Sequence, residues 1–127
     1  MNFGKVVFGF FILLAATLNF GFVYGDIAVA EQHHVAELFA AIVVNLIATI
    51  MKFGDRTQVG AVHLATSLVA DLQLLLAAGV WAWTTHVADI PYTPAATASV
   101  VSLAAGALFA NVVSVMLLLG ETLALRR

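Results

Sequence analysis

Cysteine is absent, and with it go disulfides, thiolate metal sites, iron–sulfur clusters and cysteine nucleophiles. Charge is scarce: Asp, Glu, Lys and Arg make up 9% of the 127 residues, where a water-soluble domain uses about a quarter to cover its surface. The five basic residues are scattered and the net charge is −2, so no electrostatic footprint for nucleic acid exists. Two prolines and no low-complexity tract argue against disordered tails. What fills the chain instead is apolar: 63% of residues are hydrophobic and the mean hydropathy is +1.07. The solvent is largely lipid, and this length suits one small bundle without a nucleotide-binding module or a sizeable extramembrane enzyme.

Four segments are long enough to cross a hydrocarbon core of about 30 Å, which takes about 20 helical residues. They run over Val6–Tyr24, His34–Met51, Gln58–Thr85 and Ala96–Gly120. The breaks differ in charge. Residues 25–33 hold Asp26 and Glu31 but no Lys or Arg; residues 52–56 hold Lys52 and Arg56; residues 86–94 again lack Lys and Arg, and Pro91 and Pro94 there mark a non-helical connection. Lys5, Lys52, Arg56, Arg126 and Arg127 therefore share one side, which the positive-inside bias makes cytoplasmic. Tyr24, Trp81, Trp83 and Tyr92 cluster at the opposite boundary, where amphipathic rings favour the headgroup zone. The expected architecture is an all-α integral membrane four-helix bundle, N-in and C-in, a single transmembrane domain with two outward hairpins.

Several local likenesses carry less weight. Lys5, the apolar run and Ala28-Val29-Ala30 have the form of a signal peptide with a small-residue cleavage site, but the run exceeds the ~7–15 residues usual for one. Val23-Tyr24-Gly25-Asp26 resembles the end of a potassium filter without its central glycine or a preceding outer helix. Asn45 precedes Gly54-Asp55 as Asn111 precedes Gly120-Glu121, and Asp26-Ile27 echoes Asp89-Ile90, a pattern open to duplication of a two-helix hairpin or to chance in a biased composition.

The third span holds the most informative residues. Asp71 lies near its middle, at the bilayer midplane, where an ionised carboxylate costs at least ~2.5–3.5 kcal/mol and must face protein or water, find a partner, or stay protonated. His63, Ser67 and Asp71 are spaced i, i+4, i+8 and form one narrow polar stripe, extended by the small residues Gly60 and Ala78. Two readings follow: a proton or cation path, and a hydrogen-bonded seam locking helices together. Counting from the flanking basic residues puts Asn45 of the second span at the depth of His63, where the two could hydrogen-bond. Gln73, on the opposite face, Asn19 and Asn111 are interhelical polar contacts in waiting.

The fourth span repeats small residues every four positions, at Ala98, Ser102, Gly106, Ala110 and Ser114, a ridge along which another backbone can approach closely, in this chain or in a second copy. At the outer face, His33, His34 and Glu37 begin the second span and His86 ends the third; they are weak candidates for a metal or an external pH sensor, with exposed interface residues as the plainer reading. No second histidine sits at the depth of His63, which argues against haem.

The stretches Phe53-Gly54-Asp55-Arg56-Thr57-Gln58-Val59-Gly60 and Ala65-Thr66-Ser67-Leu68-Val69-Ala70-Asp71-Leu72-Gln73-Leu74 resemble those of a family of small four-span bacterial inner-membrane proteins of unassigned function. The resemblance implies a bacterial inner-membrane setting and transfers no site residue. The chain does not resemble small multidrug exporters, which carry a key glutamate in their first span. The functional expectation is movement of protons or monovalent cations through a homo-oligomer, with Asp71 as the midplane site, His63 and Ser67 continuing toward the cytoplasm and Asn45 in support. The alternative is a non-conducting accessory subunit of a larger membrane complex. No cofactor is expected, and no nucleophile–base pair or metal constellation suggests an enzyme.

Overall fold

The computed structural model describes residues 3–25, 33–55, 57–84 and 93–125. These form four helices, α1 (Phe3–Val23), α2 (Val35–Lys52), α3 (Gln58–Ala82) and α4 (Pro94–Leu125). Each is long and apolar enough to cross a membrane. The helix limits follow local chemistry. Gly25 ends the first helical segment at φ 113°, a left-handed conformation that costs glycine nothing and other residues dearly. The Thr57 hydroxyl caps α3 by accepting from the Gly60 N–H at 2.9 Å. Thr93 caps α4, accepting from the Ala96 N–H at 3.1 Å. Pro94, expected in the connection, instead occupies the first helical position, where its missing N–H leaves no bond unmade and its fixed φ suits the helix. α4 accordingly starts earlier and ends later than its apolar run, and at 32 residues it is about 48 Å long, well beyond the ~30 Å of a hydrocarbon core.

α3 and α4 make the most extensive contact; α1 packs on α2, α2 on α3, and α4 returns against α1 to close the bundle. Large apolar side chains such as Phe10, Leu13, Phe20, Ile50, Leu72, Phe109 and Met116 point outward, an arrangement that suits lipid and that water would not tolerate. At one end, Tyr24 and Trp83 are exposed and the Trp81 ring meets Phe39 edge-on, with centroids 5.8 Å apart. At the other end Lys5 pairs with Glu121 at 3.2 Å and Lys52 with Asp55 at 3.4 Å. Tyr92, Arg56, Arg126, Arg127 and the Ala28-Val29-Ala30 motif lie outside the described residues.

The interior is divided. Toward the aromatic end a cluster forms from Phe22, Leu38, Ile42, Leu74, Val100 and Val101 with Ala41, Ala70, Ala77, Ala104 and Ala107. Toward the lysine end a smaller one forms from Phe8, Ile12 and Ala48. In each chain segment between the two clusters stands a buried polar residue: Asn19 in α1, Asn45 in α2, Ser67 in α3, Asn111 and Ser114 in α4.

The turn between α2 and α3 is a small polar lock. Asp55 accepts from both the N–H and the hydroxyl of Thr57, at 2.9 and 2.7 Å, and those bonds hold its pKa down at about 2, against the usual 3.8. A carboxylate whose folded pKa is depressed stabilises the fold above its unfolded value, and the contribution vanishes as pH falls through the folded value. The thermal stability of wild type in detergent should therefore exceed that of Asp55→Asn by a constant margin above about pH 5, shrinking as pH falls and vanishing below about pH 2. A margin unchanged down to pH 2 would mean that the charge of Asp55 is irrelevant.

Candidate functional site

α3 carries no broad polar face; His63, Ser67 and Asp71 fall on one line directed into the bundle, so the helix buries a stripe while leaving leucines such as Leu68, Leu72 and Leu75 to lipid. His63, Ser67 and Asp71 are each more than nine-tenths buried, and Gly60 of the same line is buried with them.

Asp71 meets a residue the sequence reading did not single out. Its Oδ2 lies 2.5 Å from the Thr49 hydroxyl of α2, and that hydroxyl also lies 2.8 Å from the backbone carbonyl of Asn45. A threonine hydroxyl has one hydrogen to give. When it donates to Asp71, the carbonyl goes without; when it donates to the carbonyl, the contact with Asp71 is completed only by a neutral carboxylic acid donating to Thr49. Rotation of one hydroxyl thus accommodates both protonation states of Asp71 without moving a helix. The other oxygen, Oδ1, is buried and has no protein partner.

His63, two turns toward the lysine end, turns to α4. Its Nδ1 is 2.6 Å from the Ser114 hydroxyl, which is 3.1 Å from the Thr66 hydroxyl, while Thr66 donates to the His63 carbonyl at 2.9 Å. The His63 Nε2 and the Ser67 hydroxyl are buried without protein partners. Asn45 does not pair with His63 as its depth count suggested; it donates to the Ala41 carbonyl of its own helix at 3.2 Å. The reason is helix stagger. Thr49, not Asn45, is level with Asp71, so Asn45 lies one turn beyond Asp71 toward the aromatic end and His63 two turns the other way. Asn45 extends the stripe outward instead of supporting its inner end. Its Oδ1, both side-chain polar atoms of Asn19 and both of Asn111 have no protein partner.

Gln73, half-buried, reaches across to α4, its amide filling the space where a side chain on Gly106 would stand. Along the ridge of small residues on α4, Ala110 and Ser114 are buried, Ala98 and Gly106 half-buried and Ser102 exposed. A spacing of four drifts around a helix of 3.6 residues per turn, so the ridge leaves the interior as it climbs. At the aromatic end His33 is buried with Nδ1 2.6 Å from the Phe22 carbonyl, Glu37 lies against the backbone of Gly21, and His34 is exposed. His86 falls outside the described residues. Among the described residues, no three His, Asp or Glu side chains gather as a metal ion would require.

Chemically, the line offers exchangeable protons and lone pairs in succession: imidazole, hydroxyl, carboxyl, amide. Thr49 and Thr66 escaped the sequence reading because threonine is common in apolar spans and ordinarily bonds its own helix. The available signal was their spacing, Thr49 four residues from Asn45 and Thr66 three from His63. Replacing Thr49 by valine preserves shape and leaves Asp71 Oδ2 unpartnered. A double-mutant cycle of Thr49→Val and Asp71→Ala, read by unfolding in mixed micelles, should return a coupling of about 0.6–2 kcal/mol; a coupling of zero would make the contact incidental.

One family model matches, over residues 32–122, described as "Family of unknown function (DUF6394)". The match includes Asn45, Thr49, His63, Ser67, Asp71, Asn111 and Ser114, and leaves out the whole of α1. No curated protein and no solved structure matches the chain.

Proposed function

We propose, for a chain that belongs to this family of unknown function, that it moves protons or monovalent cations across a bacterial inner membrane through the interior of its bundle, without a cofactor and without catalysing a reaction. The observation that supports the reading is the buried line of His63, Ser67 and Asp71, continued by Asn45, each of which holds a polar atom without a protein partner. Such groups are costly in a membrane and are kept where water or an ion passes. Asp71 is the exchanging group, with Thr49 adjusting to its charge. Both termini and the turn that holds Lys52 face the cytoplasm in this reading.

The aromatic half of the bundle is filled by apolar side chains, so passage alternates: Asp71 exchanges with the lysine end through Ser67 and His63, then with the other side when α3 and α4 shear along their alanines. The line lies within one chain, so a second copy is not needed to build it; self-association would use the outward small residues near Ser102. The test is flux of protons, Na⁺ and K⁺ into liposomes holding the purified chain, under imposed pH and potential gradients. Flux above protein-free vesicles is expected. Its absence under every gradient, together with a stoichiometric foreign protein retained in mild detergent, would favour the accessory subunit.

A further inference from the structure

The lysine end holds a cavity of about 250 Å³ lined by Gly4, Lys5, Phe8, Met51, Lys52 and Asp55. It stops at Phe8. That ring is buried on α1, and beyond it is His63, with ring centroids 5.1 Å apart and planes at 70°. The Lys52 ammonium also sits 4.2 Å from the Phe8 ring centre, held there by Asp55 at 3.4 Å. A species travelling from the cavity to the buried line meets first the Lys52–Asp55 ion pair, then an aromatic ring, then an imidazole.

Resting on the conduit reading above, we propose that Phe8 is the residue that restricts the path to protons, excluding alkali cations. A Na⁺ or K⁺ ion needs oxygen ligands or water at every step, and an apolar ring that leaves no room for water breaks that succession. A proton needs no continuous file. When the ring swings aside briefly, one imidazole nitrogen of His63 takes a proton from a hydronium ion in the cavity, which leaves as water, and the other gives up its proton by way of water to the Asp71 carboxylate, leaving the opposite neutral tautomer, which ring rotation resets. Phe8 fits the role because it contacts both the cavity and His63.

The experiment compares wild type, Phe8→Ala and Phe8→Leu in liposomes, reading proton uptake with an internal pH dye and K⁺ uptake with a K⁺-sensitive dye, after equal insertion is confirmed. Phe8→Leu keeps an apolar side chain in the cluster with Ile12 and Ala48 and so serves if the alanine variant fails to fold. Wild type should pass protons and hold K⁺ at the protein-free rate; removal of the ring should raise K⁺ uptake by about tenfold or more. Wild type passing K⁺ as readily as protons, or K⁺ uptake unchanged in both variants, overturns the assignment of Phe8 while leaving a conduit. No proton uptake by wild type overturns the conduit and the assignment together.

Discussion

Asp71→Asn should reduce flux to the rate of protein-free vesicles while leaving the fold at least as stable as wild type. Asparagine has the shape of aspartate and can still hydrogen-bond to Thr49, which lies 2.5 Å from Asp71 Oδ2; what it lacks is a carboxyl proton to exchange, or a negative charge to draw a cation. The opposing effects are the point of the test. Removing an ionisable group from the middle of a membrane spares the ~2.5–3.5 kcal/mol that a central charge costs, so unfolding in mixed micelles should shift toward resistance. Flux lost together with stability would show only a damaged bundle, and flux retained at full rate with Asn would reduce Asp71 to a seam between α2 and α3. Asp71→Glu, which restores the carboxyl on a longer arm, should recover part of the flux.

Ala104→Leu should unfold or severely loosen the bundle, whereas Ser102→Leu, two residues away on the same helix, should be tolerated. Ala104 is fully buried in the cluster that also encloses Ala70, Ala77 and Ala107, each with no exposed surface. Small side chains there let α3 and α4 approach, and the extra carbons of leucine have no space to enter; overpacking of a tight core costs about 1–3 kcal/mol, and here it also parts the most extensive helix contact in the molecule. Ser102 is exposed, so leucine in its place meets lipid. Loss of the folded form in SDS titration for Ala104→Leu but not for Ser102→Leu is the expected pattern. Equal tolerance at both positions would mean that α4 is rotated from the orientation described, and a Ser102→Leu variant that remains folded yet loses a crosslinked dimer would identify that face as a self-association surface.

Much of the architecture is legible in the residues, because lipid leaves so few options. Backbone groups must bond within the segment, which makes each long apolar run a helix, and the four runs correspond to α1–α4 with ends shifted by a few residues. The burial of His63, Ser67 and Asp71 follows from their common spacing along one helix face. Relations between helices are less legible. Depth counted from Lys52 and Arg56 assumed that α2 and α3 leave their turn level with each other; the packed helices are staggered instead, so Thr49 faces Asp71 and Asn45 lies beyond it. The ridge from Ala98 to Ser114 reads as a continuous surface in one dimension, yet splits between interior and exterior once the helix turn is counted. The role of Phe8 had no sequence signal at all, since one phenylalanine among nine is distinguished only by what lies on either side of it.

The way α4 covers α3 bears on how the protein is made. As α3 emerges alone during synthesis, His63, Ser67 and Asp71 face the insertion machinery and the lipid beyond it, and each resists partitioning into hydrocarbon. α4 brings Ser114 to His63 and its hydroxyl partner Thr66, and so removes part of that resistance at the moment it arrives. α3 and α4 are therefore best delivered to the bilayer as a pair, with α3 waiting beside the channel until its companion is complete, while α1, which carries no acidic residue, can partition as soon as it is synthesised.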